Sequence, residues 1–236
     1  MVIVHNIIIR GLNSIYLQAP HVKPEDYTDF IGYCLCWSEL LHTHHHGEET
    51  TMFPAIEKAS GVVGIMDVNV HQHGELNPPS PPNQSMPEHC ALEEFSPGLE
   101  EYKTYLLETK SNPATFSGSR LCEIIDSFAP ILLTHLSEEI PTLLSLSKFG
   151  DKIAIEEIAE KEGKAAVVSS AKTAGLAFFF LNCDATFEGG KWAAFPPLPG
   201  PIRWVFTHIC TWPNRAYWKF ASCDYSGNPQ DLYAVE

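Results

Sequence analysis

Four of the eleven histidines fall between positions 42 and 46, and two glutamates follow them at once: His42-Thr-His-His-His-Gly-Glu-Glu49. Imidazole nitrogens and carboxylate oxygens are the donors of a transition-metal site. On a helix, His44 and Glu48 stand at i and i+4, so their side chains stack on one face and can converge on a single ion. His45 and Glu49 form the same pair one position further on. His135 and Glu139 repeat the device near the middle of the chain, with Glu138 at i+3 as the near alternative.

These polar groups lie on apolar stripes. Phe30, Cys34, Trp37, Leu41, His44, Glu48 and Met52 follow at steps of three or four, as do Phe128, Leu132, His135, Glu139 and Leu143. His45 and Glu49 continue a weaker stripe through Ile31, Leu35, Ser38 and His42, so a register shift of one residue stays open. His5 shares a face with Ile9, Leu12 and Tyr16, and His73 with Met66 and Val70. A buried ionised glutamate without a partner costs several kcal/mol. A shared cation explains four inward histidines and two glutamates together, whereas a lone histidine on such a stripe reads more simply as a core residue. By the same measure His21, His42, His46, His71 and His208 read as surface or outer groups.

The elements that carry these residues are helical. Helix-period patterns span 2–18, closed by Pro20, then 26–59 with Pro54 as an internal bend, then 62–73. A run holding Pro78-Pro-Ser-Pro-Pro82 cannot be helix or packed strand. Helical pattern resumes near Ala91 and Leu92, continues past Pro97 to Thr109, and returns over 117–147 despite Pro141. Beyond Phe149 come a Glu/Lys/Ala-rich helix over 153–170, the Phe178–Phe180 cluster, an aromatic and proline-rich stretch over 192–204, and a helix-like end near Phe220. No β-alternation is long enough for a sheet. The expected fold is all-α: four main helices over 1–150 and a C-terminal extension over 151–236 that packs on them as extra core. Its acidic run at 156–162 reads as a solvated helix face.

Composition narrows the function. Fifteen Lys+Arg against 29 Asp+Glu give a formal charge of -14, which argues against nucleic acid or an anionic membrane surface as a partner. The chain is 44% hydrophobic, enough for a real core, yet no apolar run approaches a membrane span of about 18 residues. The N-terminus has neither a basic n-region nor a continuous apolar one. Seven cysteines with no Cys-x-x-Cys pair suggest scattered reduced thiols and a cytoplasmic setting.

Ligand chemistry limits the metal. Structural zinc sites favour four, often thiolate-rich, ligands, and the only cysteine on these stripes, Cys34, is more than two turns away. A mixed imidazole and carboxylate set in a helical bundle suits iron, with carboxylates able to bridge two ions. Six candidate ligands favour a di-iron centre; a mononuclear iron, manganese or zinc site stays open.

His5-Asn-Ile-Ile-Ile-Arg-Gly-Leu-Asn-Ser-Ile-Tyr16, His44-His-His-Gly-Glu-Glu-Thr-Thr-Met-Phe-Pro54, His71-Gln-His73 and His135-Leu-Ser-Glu-Glu-Ile-Pro141 resemble the hemerythrin-like, or HHE cation-binding, domain, fungal members above all. The resemblance covers about residues 1–150, and the tail segments Trp192-x-x-Phe-Pro-Pro and Trp218-Lys-Phe are similar to the same subgroup. It implies an antiparallel four-helix bundle with a non-haem di-iron centre that meets O2. The ligands it implies are His5, His44, Glu48, His73, His135 and Glu139, and His45 and Glu49 also fall on its His-His-x-x-Glu-Glu pattern.

The sequence departs from that family in two places. Hemerythrins proper carry His-x-x-x-His on the third helix, and His73 has no such partner, which would leave coordination positions open for a substrate. Joining His73 to Glu93 restores a family-like third helix, so 74–92 reads either as a translated, unspliced intron or as a surface loop. Gly74-Glu75 and Leu92-Glu93 are compatible with splice-donor and acceptor codons; within the stretch, His89 is a minor competing ligand. Mature message that retains these codons would exclude the intron. Three functions follow: an O2-using di-iron oxidoreductase acting on a small organic molecule, with Tyr16, Trp37 or Cys34 shaping its pocket and a place in fungal secondary metabolism; a non-enzymatic O2 or iron carrier, store or sensor; and a zinc-stabilised structural bundle.

Overall fold

The computed structural model describes residues 1–73, 95–170 and 174–235. The insert over 74–92, its His89, and the expected helix restart at Ala91 and Leu92 lie outside the described residues. Four helical segments form a ring of neighbours: α1 (Val2–Gln18), α2 (Tyr27–Gly47), α5 (Ser96–Ser111) and α6 (Gly118–Ser145), with α1 on α2 and α6, and α5 on α2 and α6. The N-terminal end of α1 meets the C-terminal ends of α2 and α6, as an antiparallel bundle requires. Among the described residues the only β pairing is an isolated bridge between Cys223 and Pro229.

Helix ends follow local chemistry. Ser117 caps α6, its hydroxyl accepting from the Arg120 N–H at 3.3 Å. Pro97 lies in the first turn of α5, where its missing N–H is harmless, rather than inside a longer helix. The pattern over 26–59 divides. Helix α2 stops at Gly47, a wider turn covers Glu48–Met52, and α3 (Phe53–Ser60) follows. Pro54 cannot donate to the Thr50 carbonyl, and the Phe53 N–H reaches back five residues to Glu48.

The helix expected over 62–73 is shorter than its pattern. Gly61 and Gly64 adopt left-handed φ of 72° and 76°, and Val63 stands 93% exposed between them. Helix α4 (Asp67–His73) begins only after this double turn and packs on α6.

The main core runs through all four bundle segments and continues into the C-terminal region. From α8 (Gly175–Leu181), Phe178 enters the core beside Tyr33, ring centroids 4.8 Å apart. Asn182 accepts from the Tyr33 hydroxyl at 2.9 Å and from the Ser222 N–H at 3.1 Å, all three groups buried. Ser14 and Gln18 of α1 both donate to the Phe220 carbonyl, at 2.5 and 2.9 Å. Arg10 pairs with Asp184, and Lys219 with Asp26 at 2.5 Å. A second apolar cluster of Met52, Phe53, Ile56, Met66, Leu146 and Ile153 lies where the wide turn, α3 and the residues after α6 meet. Partly buried Ile155 and Ile158 of α7 (Ile155–Ser170) pack against it. No single helix among the described residues is long and apolar enough to cross a membrane. Among the described residues Cys34, Cys36, Cys122, Cys183, Cys210 and Cys223 are free thiols.

Candidate metal centre

His5 lies in the second turn of α1, His44 in the last turn of α2, Glu48 in the wide turn, and Glu139 near the end of α6. One donor atom from each lies within 4.8 Å of every other, and all four side chains are buried. Two opposed bonds of about 2.1 Å to one ion would set donors about 4.2 Å apart, so a small contraction closes this set on a cation. His5 Nε2 lies 3.1 Å from Glu139 Oε2, and His44 Nε2 lies 3.2 Å from Glu48 Oε1.

Neither ring nitrogen of His5 and neither carboxylate oxygen of Glu139 has a hydrogen-bond partner among the described residues, although Glu139 is 0% exposed. A buried carboxylate that faces only an imidazole and a second acid is expensive and demands compensation. A cation held among these four donors supplies it, so the residues fit the group. Burial pushes the Glu48 carboxyl well above the ordinary carboxylate range, and the neighbouring Glu139 charge adds to the rise.

That shift has a sign. Folded, cation-free protein keeps a proton on Glu48 that the unfolded chain releases above about pH 4.3, so its stability falls as pH rises through the window up to the raised value. A cation must displace that proton, so its affinity should rise over the same window. Thermal melts with and without Mn2+, at about pH 5.5 and about pH 7.5, should show a larger stabilisation at the higher pH. An equal gain at both would mean that Glu48 binds no cation.

A second group lies beside the first. The His45 and His135 rings are 5.4 Å apart, and the His44 and His45 rings also 5.4 Å. The His135 Nδ1 bonds to the Gln72 amide oxygen at 2.9 Å, and the Gln72 amide nitrogen donates to Glu138 at 2.9 Å. Gln72 thereby fixes the ring of His135 and holds Glu138 at the surface, leaving Glu139 as the inward carboxylate of that pair. Glu49 is half-buried and stands outside the four-residue set. The backbone of His73 ends α4, and its side chain lies outside the described residues. His21, His42, His46, His71 and His208 are all exposed.

Trp37 and Cys34 are packed core rather than pocket wall. The Trp37 indole donates to the Ile8 carbonyl at 2.9 Å, and the Tyr102 hydroxyl to the Cys34 carbonyl at 3.2 Å. Tyr16 faces solvent. Two clefts of ≈ 330 Å³ each lie in the C-terminal region, one lined by Trp218, Lys219 and Tyr233 and the other by Phe180, Arg203 and Trp204, so neither opens on the His/Glu group. Sequence reasoning missed Gln72, whose role depends on the tertiary approach of α4 to α6. Its one sequence signal is its place beside His73 on a helix carrying histidines.

A bundle of antiparallel helices with histidine and glutamate donors converging at one end defines a cation-binding protein. The chain belongs to the hemerythrin family: the Hemerythrin HHE cation binding domain matches residues 1–144. It is also 32% identical, over 234 residues, to the "dimeric xanthone biosynthesis cluster protein R11" of Cryptosporiopsis sp. (strain 8999). That match covers 98% of this chain and 80% of the relative, so it runs beyond the bundle into the C-terminal extension. No solved structure matches.

Proposed function

We propose that this chain holds a di-iron centre that binds and activates O2, and that it is an oxidoreductase acting on a small organic molecule in fungal secondary metabolism. The carrying observation is Glu139, a fully buried carboxylate whose close neighbours are the His5 imidazole, at 3.1 Å, and the second acid Glu48, with no Lys or Arg to neutralise it among the described residues. One oxygen lies 3.1 Å from His5 Nε2; His5, His44, Glu48 and Glu139 would hold iron, with His45, His135 and His73 as the further ligands a second iron would need. Histidines and glutamates projecting inward from facing helices are a recurring feature of di-iron bundles. Glu49 stands by as an outer acid. Iron bound here would supply the redox chemistry; the protein orients the donors, through Gln72 for His135, and keeps bulk water away. The name of the Cryptosporiopsis relative places that protein in a biosynthesis cluster, which supports a small-molecule substrate. The formal charge of -14 argues against nucleic acid or an anionic membrane surface as a partner, and a cytoplasmic setting fits the free thiols.

A non-enzymatic carrier, store or sensor of O2 or iron is the second reading. It is favoured by the closure of the centre, where the most exposed of the four donor residues, His44, is only 6% exposed, and by clefts that lie elsewhere. Elemental analysis of the purified chain is the first test, and iron near two per chain is expected (about two, by the ligand count). Fe2+-loaded protein is then exposed to O2. Consumption of O2 coupled to loss of an added organic substrate supports the enzyme; a reversible absorption band without turnover supports the carrier. Colourless protein holding only zinc would overturn both.

A further inference from the structure

Helix α7 belongs to the C-terminal extension, beyond the 144 residues matched by the cation-binding family. It packs on α2, on the wide turn Glu48–Met52 and on α3. The run Glu156-Glu-Ile-Ala-Glu-Lys-Glu162 has the spacing of a solvated face, and Glu156, Glu157, Glu160 and Lys161 are exposed as that spacing predicts. Glu162 is not. It is half-buried, and its carboxylate sits against Gly47, the residue before Glu48. A Cβ built on Gly47 would fall 3.2 Å from Glu162 Cδ and closer still to Oε1. The missing side chain of Gly47 is therefore the seat of this carboxylate.

Nothing on α7 neutralises it. Lys164 pairs with Glu160 at 2.5 Å, and Glu162 has no ion-pair or hydrogen-bond partner among the described residues. Burial raises the Glu162 carboxyl above the ordinary carboxylate range, and the N-terminal ammonium only partly opposes the rise. The charge of Glu162 is felt at Glu48. In the presence of a divalent ion the same arrangement becomes favourable.

Taking the cation centre as assigned above, we propose that the extension completes it: Glu162, seated on Gly47, adds a third carboxylate charge beside Glu48 and strengthens retention of the bound cation without ligating it. Helix α7 is then a functional part of the centre, and Glu162 a positioning residue that acts through Glu48.

The test uses the full-length chain and Mn2+ alone, with dissociation constants from chelator competition and melting curves of the cation-free forms. Glu162→Gln keeps the shape and removes the charge, and should weaken Mn2+ binding about 10-fold, the lower end of what outer partners of metal ligands contribute. Its cation-free melting temperature should be little changed, because Glu48 is protonated there and an isosteric amide replaces a half-buried acid. Glu162→Lys should weaken binding further. Mn2+ affinity of Glu162→Gln within about twofold of the unsubstituted chain, well short of an outer partner's effect, would overturn the proposal while leaving the centre intact. So would a loss of affinity matched by a fall in cation-free melting temperature, since that is the mark of a structural prop. An unsubstituted chain that takes up no divalent cation would overturn both this proposal and the centre itself.

Discussion

Glu139→Ala is expected to yield a folded chain that holds no cation at stoichiometric concentration. Glu139 sits at 0% exposure with only the His5 imidazole and the Glu48 carboxyl close to it, so the cation-free protein recovers little of its desolvation cost. Alanine removes that cost, and the cation-free variant should melt no lower than the unsubstituted protein. Cation binding behaves in the opposite way. Loss of a direct ligand should weaken binding more than about 100-fold, beyond the range of outer partners. An ion that binds only the native state stabilises it by about 4.1 kcal/mol at a thousand times its dissociation constant, so the melting temperature of the unsubstituted chain should climb with Mn2+ while that of the variant stays flat. Full metal stoichiometry in Glu139→Ala would remove the basis of the assignment.

Phe178→Ala is expected to cost about 3–5 kcal/mol, the usual range for a buried phenylalanine. Phe178 is 0% exposed and meets the Tyr33 ring on α2. On its other side it fills the space left by Gly11 of α1, where an added Cβ would come within 2.7 Å of Phe178 Cε1. Gly11→Val should therefore destabilise in the same direction by expelling the ring. Urea unfolding curves measure both. A Phe178→Ala cost below about 1 kcal/mol, far under the buried-aromatic range, would mean that the extension merely rests on a self-sufficient bundle.

Much of the bundle was legible because one period governs it. Every member of the stripe from Phe30 to Met52 is buried as its spacing predicts, and the stripe through Phe128, Leu132 and His135 selects Glu139 over Glu138. The stripe through His5 drifts outward at Tyr16, because α1 buries a wider face, with Ile8, Ser14 and Ile15 turned toward the helices and the extension around it. The shortened α4 reflects backbone chemistry that periodicity does not register: two left-handed glycines override an apolar pattern. Least legible was the extension. Tyr33, Asn182 and Ser222 form a buried hydrogen-bonded group drawn from three distant stretches, and polar residues so far apart have no shared pattern. Glu162 was hidden for the same reason, since an acidic helix face looks solvated until another element comes to rest on it.

The bonds from Ser14 and Gln18 to the Phe220 carbonyl join residues 206 and 202 positions apart. During synthesis the ribosome releases the four bundle segments long before Phe178 or Phe220 appears, so the nascent helices must wait with part of their interior uncovered. Such distant closure slows folding and exposes greasy surface meanwhile. Chaperone supply and growth temperature should therefore govern the yield of intact protein from a host cell.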